Sequence, residues 1–321
     1  AAEIHQIEDV LLEAAAAESR PSIQKLGANP AVGADRPGQV FFGLISLAVL
    51  AAFVMVGAVL WDVVQGSWDI STSRMWGFLT TSFVSNPDAA GVAQGIRGSL
   101  IIAGIVILTF PIGIGAAIYL EEYATDNWST RLIQVTVRNL AGVPSIVYGL
   151  LGLAVFVQTL KGLTGGDSVI SGALTLAILV LPIVIITSAE AIRAVPGSYR
   201  DGAYGLGATQ WETIRTQVLP AALPGILTGT VLSIARALGE AAPLLVVGAA
   251  GFYTTGNNDF LEQMRGAFTA LPMNIATFTK EPAAIWRGHA AAASLVLLVL
   301  VFLINLVAII GRARIAKRLG R

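Results

Sequence analysis

Long apolar runs dominate the sequence, and six of them are long enough to cross a lipid bilayer as helices. A spanning helix needs about 20 consecutive, predominantly apolar residues. The six runs lie at residues 40–61, 98–120, 139–160, 168–189, 223–249 and 288–311. They are continuous rather than short and alternating, which favours helices over strands. The pattern therefore predicts an all-α integral membrane protein with six spans.

Composition agrees with a membrane class and excludes others. The 321 residues are 55% hydrophobic and 12% charged, whereas soluble domains are about 25% charged. The formal net charge is zero, which gives no basis for a nucleic-acid surface. The partner that this composition predicts for the spans is membrane lipid.

The distribution of Lys and Arg predicts the orientation. With six spans, thirteen of the 20 basic residues fall on the side that holds both ends of the chain, and six fall on the other. Basic residues are enriched in cytoplasmic segments. We therefore expect both termini in the cytoplasm, with tails at residues 1–39 and 316–321. Apolar residues at helical spacing from Ile4 to Ala14 predict a short acidic helix in the first tail, with a solvated tail as the alternative.

Motifs of several function classes are missing from the sequence. No G-x-x-x-x-G-K-[ST] loop is present, so we expect no ATP site of that kind. The two histidines, His5 and His289, and the lack of cysteine leave no metal cluster and no His-based catalytic set. We therefore expect a non-catalytic chain without a metal or cofactor of its own.

Arg236 and Glu240 are ionisable residues well inside a predicted span, and their spacing of four places them on one helix face. A charge at the bilayer centre costs about 2.5–3.5 kcal/mol on insertion scales, so the pair should face the helix bundle or a wet cavity. One interpretation is an ion pair that fixes helix packing. The other is a permeation element, in which Arg236 attracts an anion and Glu240 prevents its permanent capture.

Proline and glycine mark several spans. The segment 142–149 contains Pro144 together with Ser145 and Tyr148, and residues 225–229 form a G-x-x-x-G. Kinks and close helix packing account for such residues. The functional alternative is that Ser145 and Tyr148 line a path through the membrane.

Residues 200–220 form a polar island between two spans. The pattern predicts a short helix, a glycine break and a second amphipathic helix that ends at Pro220. A plain connection between helices is about 2–8 residues long. An element with this much structure therefore indicates a docking surface for another protein.

The island resembles the cytoplasmic loop of permease subunits of ATP-binding-cassette (ABC) importers. That family's pattern is Glu-Ala-Ala, three residues, Gly, nine residues, Ile, one residue, Leu-Pro. The matching positions here are Asp201, Gly202, Ala203, Gly207, Gln217, Leu219 and Pro220. The family's Glu, first Ala and Ile are replaced, while the spacing is kept. The resemblance implies that Gly207 turns the chain.

The resemblance extends over about residues 40–315. Runs at 141–150, 218–229 and 235–245 look like the phosphate-specific transport system. They look more like its A-type permease subunits than like their C-type partners, chiefly through Gly-Glu-Ala-Ala-Pro-Leu-Leu at 239–245.

This resemblance implies a six-helix type I ABC importer transmembrane domain at residues 40–315, with a cytoplasmic coupling helix in the loop at 190–222. It implies a bacterial or archaeal plasma membrane and three kinds of partner. These are a C-type permease subunit, two cytoplasmic ATPase subunits that bind ATP and Mg, and an external phosphate-binding protein. The residues implied in coupling are Asp201, Gly202, Ala203, Tyr204, Gly207, Leu219 and Pro220. The translocation path would include Arg236, Glu240, Ser145 and Tyr148.

Two alternatives stay open. One is an ABC importer permease for another anion or small solute. The other is a stand-alone channel or secondary transporter, which would need no structured cytoplasmic loop and usually has more spans per chain. Co-purification with an ATPase separates the second alternative from the first.

Overall fold

The described part of the chain is helical. The computed structural model describes residues 36–249 and 264–318, and no strand occurs within these ranges. Most of the predicted tail at 1–39, including its acidic helix, lies outside the described residues. The helices are α1 (Arg36–Ser73), α2 (Met75–Thr80), α3 (Ala93–Ile107), α4 (Phe110–Ile118), α5 (Trp128–Ala141), α6 (Ser145–Gly152), α7 (Lys161–Thr164), α8 (Val169–Arg193), α9 (Gly197–Gly205), α10 (Gln210–Thr213), α11 (Leu219–Gly239), α12 (Ala242–Val246), α13 (Leu271–Lys280) and α14 (Ile285–Arg318). Single π-helical segments extend α4, α6 and α10, at Tyr119–Tyr123, Leu153–Thr159 and Ile214–Val218.

The lengths of these helices confirm the prediction of an all-α membrane protein. Among the described residues, five helical stretches are long and apolar enough to cross a membrane, and a bent pair makes a sixth if it counts as one span. The five are Gly38–Ser73, Ala93–Tyr123, Val169–Arg193, Gln210–Gly239 and Ile285–Arg314.

The first span is longer than its apolar run. The run ends at residue 61, but α1 continues to Ser73 because its polar residues are compatible with a helix and part of this end is buried. By contact the chain divides into two units, Ala1–Leu60 and Trp61–Arg321. In the described part of the first unit, the apolar side chains of α1 are exposed.

The third predicted span, 139–160, is not a single straight helix. α5 ends at Ala141, α6 begins at Ser145, and the two axes differ by 103°. Proline disfavours helical backbone in the residue before it, so α5 ends short of Pro144, and the ψ of Pro144 itself is 135°, outside the helical range. The Tyr148 hydroxyl donates to the Leu140 carbonyl at 2.8 Å, so the bend leaves that acceptor paired.

The fifth predicted span, 223–249, also differs from the structure. α11 ends at Gly239, Glu240 is extended with ψ of 112°, and the short helix α12 follows. The ring of a helical proline collides with the carbonyl four residues earlier. Pro243 is four residues after Gly239, which explains where the helix stops.

The second helix of the polar island does not end at Pro220. A continuous helical stretch runs from Gln210 to Gly239 and carries the island directly into the fifth span. The wider π turn Ile214–Val218 lies just before Pro220 and includes the carbonyl that its ring would otherwise meet. The connection outside helical spans is therefore 194–209 rather than 190–222.

α8 is the central helix of the unit Trp61–Arg321. Most of its apolar surface is buried, and it packs against α3, α4, α6 and α11. Glycines allow the closest of these contacts: a Cβ on Gly225 would lie 2.8 Å from the Ala191 Cβ, and one on Gly229 would collide with the Thr187 hydroxyl. The G-x-x-x-G at 225–229 is therefore a packing element.

A separate cluster surrounds His289 at the start of α14. The ring is 2% exposed and lies against Phe78 and Trp286. Arg74 contacts its Nε2 at 2.9 Å and donates to carbonyls of the segment 87–90. The side chains of Arg74 and His289 thus hold the loop at residues 87–90 in place.

Candidate functional site

The exposed helix α9 is the first candidate site. Pro196 precedes it with an extended ψ of 141°, and none of its nine residues is buried. Leu206, directly after the helix, is 91% exposed. Tyr199, which is 38% exposed, lines the same groove as Leu206, and exposed apolar surface of more than one residue suits contact with another protein.

The turn after α9 has the geometry that favours glycine. Gly207 has φ of +83°, in the left-handed region. Its N–H donates to the Tyr204 carbonyl at 2.9 Å, and the Ala208 N–H donates to the Ala203 carbonyl at 3.1 Å. These two bonds form a Schellman motif, which closes a helix by pairing its last carbonyls. The predicted turn at Gly207 is therefore present, with a defined backbone geometry.

The next helix starts with a capping box that the sequence interpretation missed. The Thr209 side chain accepts from the Glu212 N–H, and the Glu212 carboxylate accepts from the Thr209 N–H at 2.8 Å. The signal was readable, because Thr-x-x-Glu is the pattern of this motif. The Schellman motif ends at Ala208 and the capping box begins at Thr209, so hydrogen bonds hold the turn between α9 and α10 along its whole length.

Two adjacent carboxylates tie this region to the end of the second span. Glu121 pairs with Arg193 at the end of α8, with 2.5 Å between Oε1 and Nη2. Glu122 pairs with Arg200 on α9, with 2.6 Å between Oε1 and Nη2. The partners are 72 and 78 residues apart in sequence, so no local pattern predicts them.

The Glu122–Arg200 pair is the more enclosed of the two. The side chains of Glu122 and Arg200 are 5% and 22% exposed, against 11% and 53% for Glu121 and Arg193. Hydrogen bonds to Glu122 raise the pKa of Arg200 above its usual value, so the guanidinium keeps its charge despite burial.

The residues predicted for coupling fall into two groups. Asp201, Gly202, Ala203 and Tyr204 lie on α9, and Gly207 ends it. A groove of about 390 Å³ is lined by Ser198, Tyr199, Gly202, Ala203, Leu206 and Gln217. Leu219 and Pro220 instead begin α11 and are half-buried, so they belong to the spanning helix.

The second candidate site is the Arg236–Glu240 pair. The Arg236 Nε lies 3.4 Å from the Glu240 Oε1, and the two side chains are 46% and 20% exposed. Glu240 stands one residue beyond the end of α11, so the pair bridges a break in the helix rather than lying along it. At 1.5 Å per residue, Arg236 is roughly 39 Å along this stretch from Gln210, so the two sites are separate.

Arg236 shares an exposed helix face with Thr228, Leu232 and Gly239. Their spacing of four, four and three places them on one side of α11. Arg312 of α14 donates to the Thr228 hydroxyl at 2.6 Å on the same face. The charge at Arg236 therefore points away from the core of this chain.

The predicted path residues of α6 lie near the same break. α6 packs against α12, the helix that follows Glu240, and a Cβ on Gly149 would lie 2.8 Å from the Pro243 Cα. Ser145 is half-buried, while Tyr148 is buried and hydrogen-bonded to backbone. No group of three or more metal-ligating side chains occurs within the described ranges.

Among the described residues, several helices are long and apolar enough to span a membrane, two predicted spans are broken, and an exposed helix followed by a tight turn joins two spans. This combination is typical of a subunit of a membrane transport system. The chain belongs to the family described as binding-protein-dependent transport system inner membrane components, whose model matches residues 109–321.

Several curated relatives cover most of the chain. The phosphate transport system permease protein PstA 1 of Mycobacterium tuberculosis (strain CDC 1551 / Oshkosh) is 35% identical over 271 residues, which is 84% of this chain and 86% of that protein. The phosphate transport system permease protein PstA of Yersinia pestis is 35% identical over 233 residues, or 72% and 76% of the two chains. The phosphate transport system permease protein PstC of Haemophilus influenzae is 31% identical over 220 residues, or 61% and 69%.

Solved structures have the same fold at low sequence identity. A chain of a bacterial alginate ABC transporter, in complex with a pentasaccharide-bound periplasmic protein, matches with a TM-score of 0.65 at 14% identity. The match covers 88% of this chain and 96% of that one. A chain of the MetNI methionine ABC transporter, in inward-facing conformations, matches with a TM-score of 0.53 at 16% identity, over 72% and 96%. The fold is therefore that of an ABC importer transmembrane subunit.

Proposed function

We propose that this chain is the A-type permease subunit of an ATP-driven importer of inorganic phosphate. The observation that carries the proposal is the 35% identity over 84% of the chain to a phosphate transport system permease protein PstA 1. The weaker and shorter similarity to a PstC protein, 31% over 61% of the chain, favours the A-type assignment. In this role the chain forms half of the translocation path and hydrolyses no ATP itself.

The partners follow from this role. A C-type permease subunit completes the path, two cytoplasmic ATPase subunits bind ATP and Mg, and an external binding protein delivers phosphate. The chain lies in a bacterial or archaeal plasma membrane with both termini in the cytoplasm, as the Lys and Arg distribution predicts.

The helix α9 is the proposed contact with the ATPase. Asp201, Gly202, Ala203 and Tyr204 lie on an exposed helix beside a groove of about 390 Å³. The Schellman turn at Gly207 and the capping box behind it join α9 rigidly to the helix that becomes the fifth span. A displacement of α9 is therefore transmitted to the fifth span. Leu219 and Pro220 act in coupling as the start of that spanning helix.

Arg236 and Glu240 are proposed to lie on the translocation path. A charge at membrane depth is expensive against lipid, by about 2.5–3.5 kcal/mol on insertion scales. Because Arg236 lies on an exposed face of α11, that face needs a second subunit or a wet path beside it. Arg236 then attracts the phosphate anion, and the negative charge of Glu240 weakens the binding of that anion. Ser145, with the helix that Tyr148 holds in place, borders the same region.

Reconstitution of the complex in vesicles tests this function. Phosphate uptake and phosphate-stimulated ATP hydrolysis are measured with and without the external binding protein. We expect both to require ATP and the binding protein. Uptake of a different anion in preference to phosphate would replace the substrate assignment, and phosphate flux without ATP would favour a channel or secondary transporter.

A further inference from the structure

Glu122 contacts two separate elements of the cytoplasmic loop. Its carboxylate accepts from Arg200 of α9, with Oε1 2.6 Å from Nη2 and 3.2 Å from Nε. Its backbone carbonyl accepts from the Gln210 side chain, the first residue of α10, at 2.5 Å. One residue at the end of the second span thus bonds to α9 and to the start of the helix that follows it.

We propose that Glu122 is a positioning residue that links the coupling helix α9 to the second span, so that movement of α9 is transmitted to Ala93–Tyr123. The inference rests on the proposed function and adds a route that the covalent chain does not provide. Through the backbone, α9 is connected only to the fourth and fifth spans.

The packing of α9 explains why such a link is needed. None of the nine residues of α9 is buried, so apolar contacts hold it only weakly. Its two ends are an extended residue, Pro196, and a left-handed glycine, Gly207. The Schellman turn fixes the C-terminal end of α9 to the next helix, so the backbone attaches α9 at its two ends, to the fourth and fifth spans. Arg200, in the middle of α9, supplies a third point of attachment.

Arg200 also joins α9 to the fourth span. Its Nη1 donates to the Val195 carbonyl at 2.9 Å, and its Nη2 donates to the Ile192 carbonyl at 3.1 Å. The planar guanidinium has five donors in a fixed arrangement, so it can bond a carboxylate and two carbonyls at once. Displacement of α9 therefore strains bonds to the ends of two spans together.

The backbone at Glu122 is shaped for this contact. The segment Tyr119–Tyr123 is a π turn, closed by the Ala124 N–H donating to the Tyr119 carbonyl at 2.8 Å. Such turns insert an extra residue into a helix and occur frequently at functional sites. Here the turn lets the consecutive residues Glu121 and Glu122 reach arginines on different elements.

The chain offers a matched control four residues further on. Asp126 pairs with Arg131 at 2.8 Å, but the side chains are 75% and 69% exposed and both belong to one local segment. The pair has similar chemistry and connects no second span. Asp126→Asn should therefore leave coupling unchanged.

The experiment compares Glu122→Gln, Arg200→Lys and Asp126→Asn in the full reconstituted complex. Phosphate transported per ATP hydrolysed is measured at equal amounts of assembled complex. We expect Glu122→Gln and Arg200→Lys each to lower this ratio by at least about five-fold, the lower end of typical coupling between sites, while ATP hydrolysis continues. The double variant should fall no further than Arg200→Lys alone, because that change already removes the bond to Glu122.

Each outcome has a distinct meaning. An unmodified complex that takes up no phosphate overturns the proposed function, and this inference with it. Normal uptake by the unmodified complex with an unchanged ratio in Glu122→Gln overturns the inference alone. A lower yield of complex with a normal ratio per complex shows a role in assembly only, and also overturns it. An equal fall in Asp126→Asn would remove the specificity that the inference requires.

Discussion

The same methyl group added at two glycines of the loop 194–209 should have opposite effects on the stability of α9 and its closing turn. Gly202 lies inside α9, and Gly207 ends it with φ of +83°. A Cβ built on either residue meets no atom within 4 Å. Steric crowding therefore cannot distinguish the two sites. Backbone conformation alone decides whether alanine stabilises or destabilises each one.

The magnitudes follow from that conformation. Alanine in a helix interior is more favourable than glycine by about 1 kcal/mol, so Gly202→Ala should stabilise α9 and lower its local opening roughly five-fold. A left-handed backbone costs a residue with a Cβ roughly 1–2 kcal/mol, so Gly207→Ala should increase opening of the turn about 5- to 30-fold.

Hydrogen exchange of peptides covering residues 197–209, in the membrane-reconstituted complex, measures these changes. The reporting amides are those of Gly207 and Ala208, which donate to carbonyls of α9. Gly207→Asn is the matched control, since Asn tolerates the left-handed region and should fall between Gly and Ala. If both Gly→Ala changes altered protection in the same direction, the assignment of the effect to φ would be refuted.

Three further predictions concern the membrane part. Arg236→Leu should abolish phosphate uptake while the complex still assembles, because the side chain points away from the core of this chain; uptake equal to wild type would favour a packing role. Gly98→Ala should destabilise the protein by about 1–3 kcal/mol through a collision with the Thr269 carbonyl, whereas Gly104→Ala on the same helix meets no atom within 4 Å and should leave the thermal midpoint equal or higher, because alanine favours a helix over glycine. Tyr148→Phe should cost about 1 kcal/mol from the lost backbone hydrogen bond, seen as a lower thermal midpoint with uptake largely retained; a selective loss of uptake would instead support a direct place on the path.

The spans were predictable where a single physical property decides them. Transfer of about 20 apolar residues into lipid is favourable whatever surrounds them, so the run at 98–120 lies within one spanning stretch, and the run at 168–189 does so from Val169 onward. The run at 139–160 failed as a straight helix because Pro144 breaks the backbone inside an apolar segment, and hydropathy does not register such a break.

The polar island at residues 200–220 was partly predictable for the same reason. The turn at Gly207 is local, and so is the Thr209–Glu212 capping box, which the sequence contains although it was not noticed. The prediction that the second helix ends at Pro220 was wrong, because a π turn just before Pro220 lets the helix continue.

By itself, the sequence determined that this is a helical membrane protein with a structured polar loop, because transfer free energies and turn geometry depend on neighbouring residues only. The tertiary structure decided which charges meet. Glu122 pairs with Arg200, which is 78 residues away in sequence. Arg236 lies on an exposed face of α11, and this helix ends next to Glu240. Such pairings depend on how α8, α9 and the second span pack in three dimensions, and no periodicity along one chain encodes that arrangement.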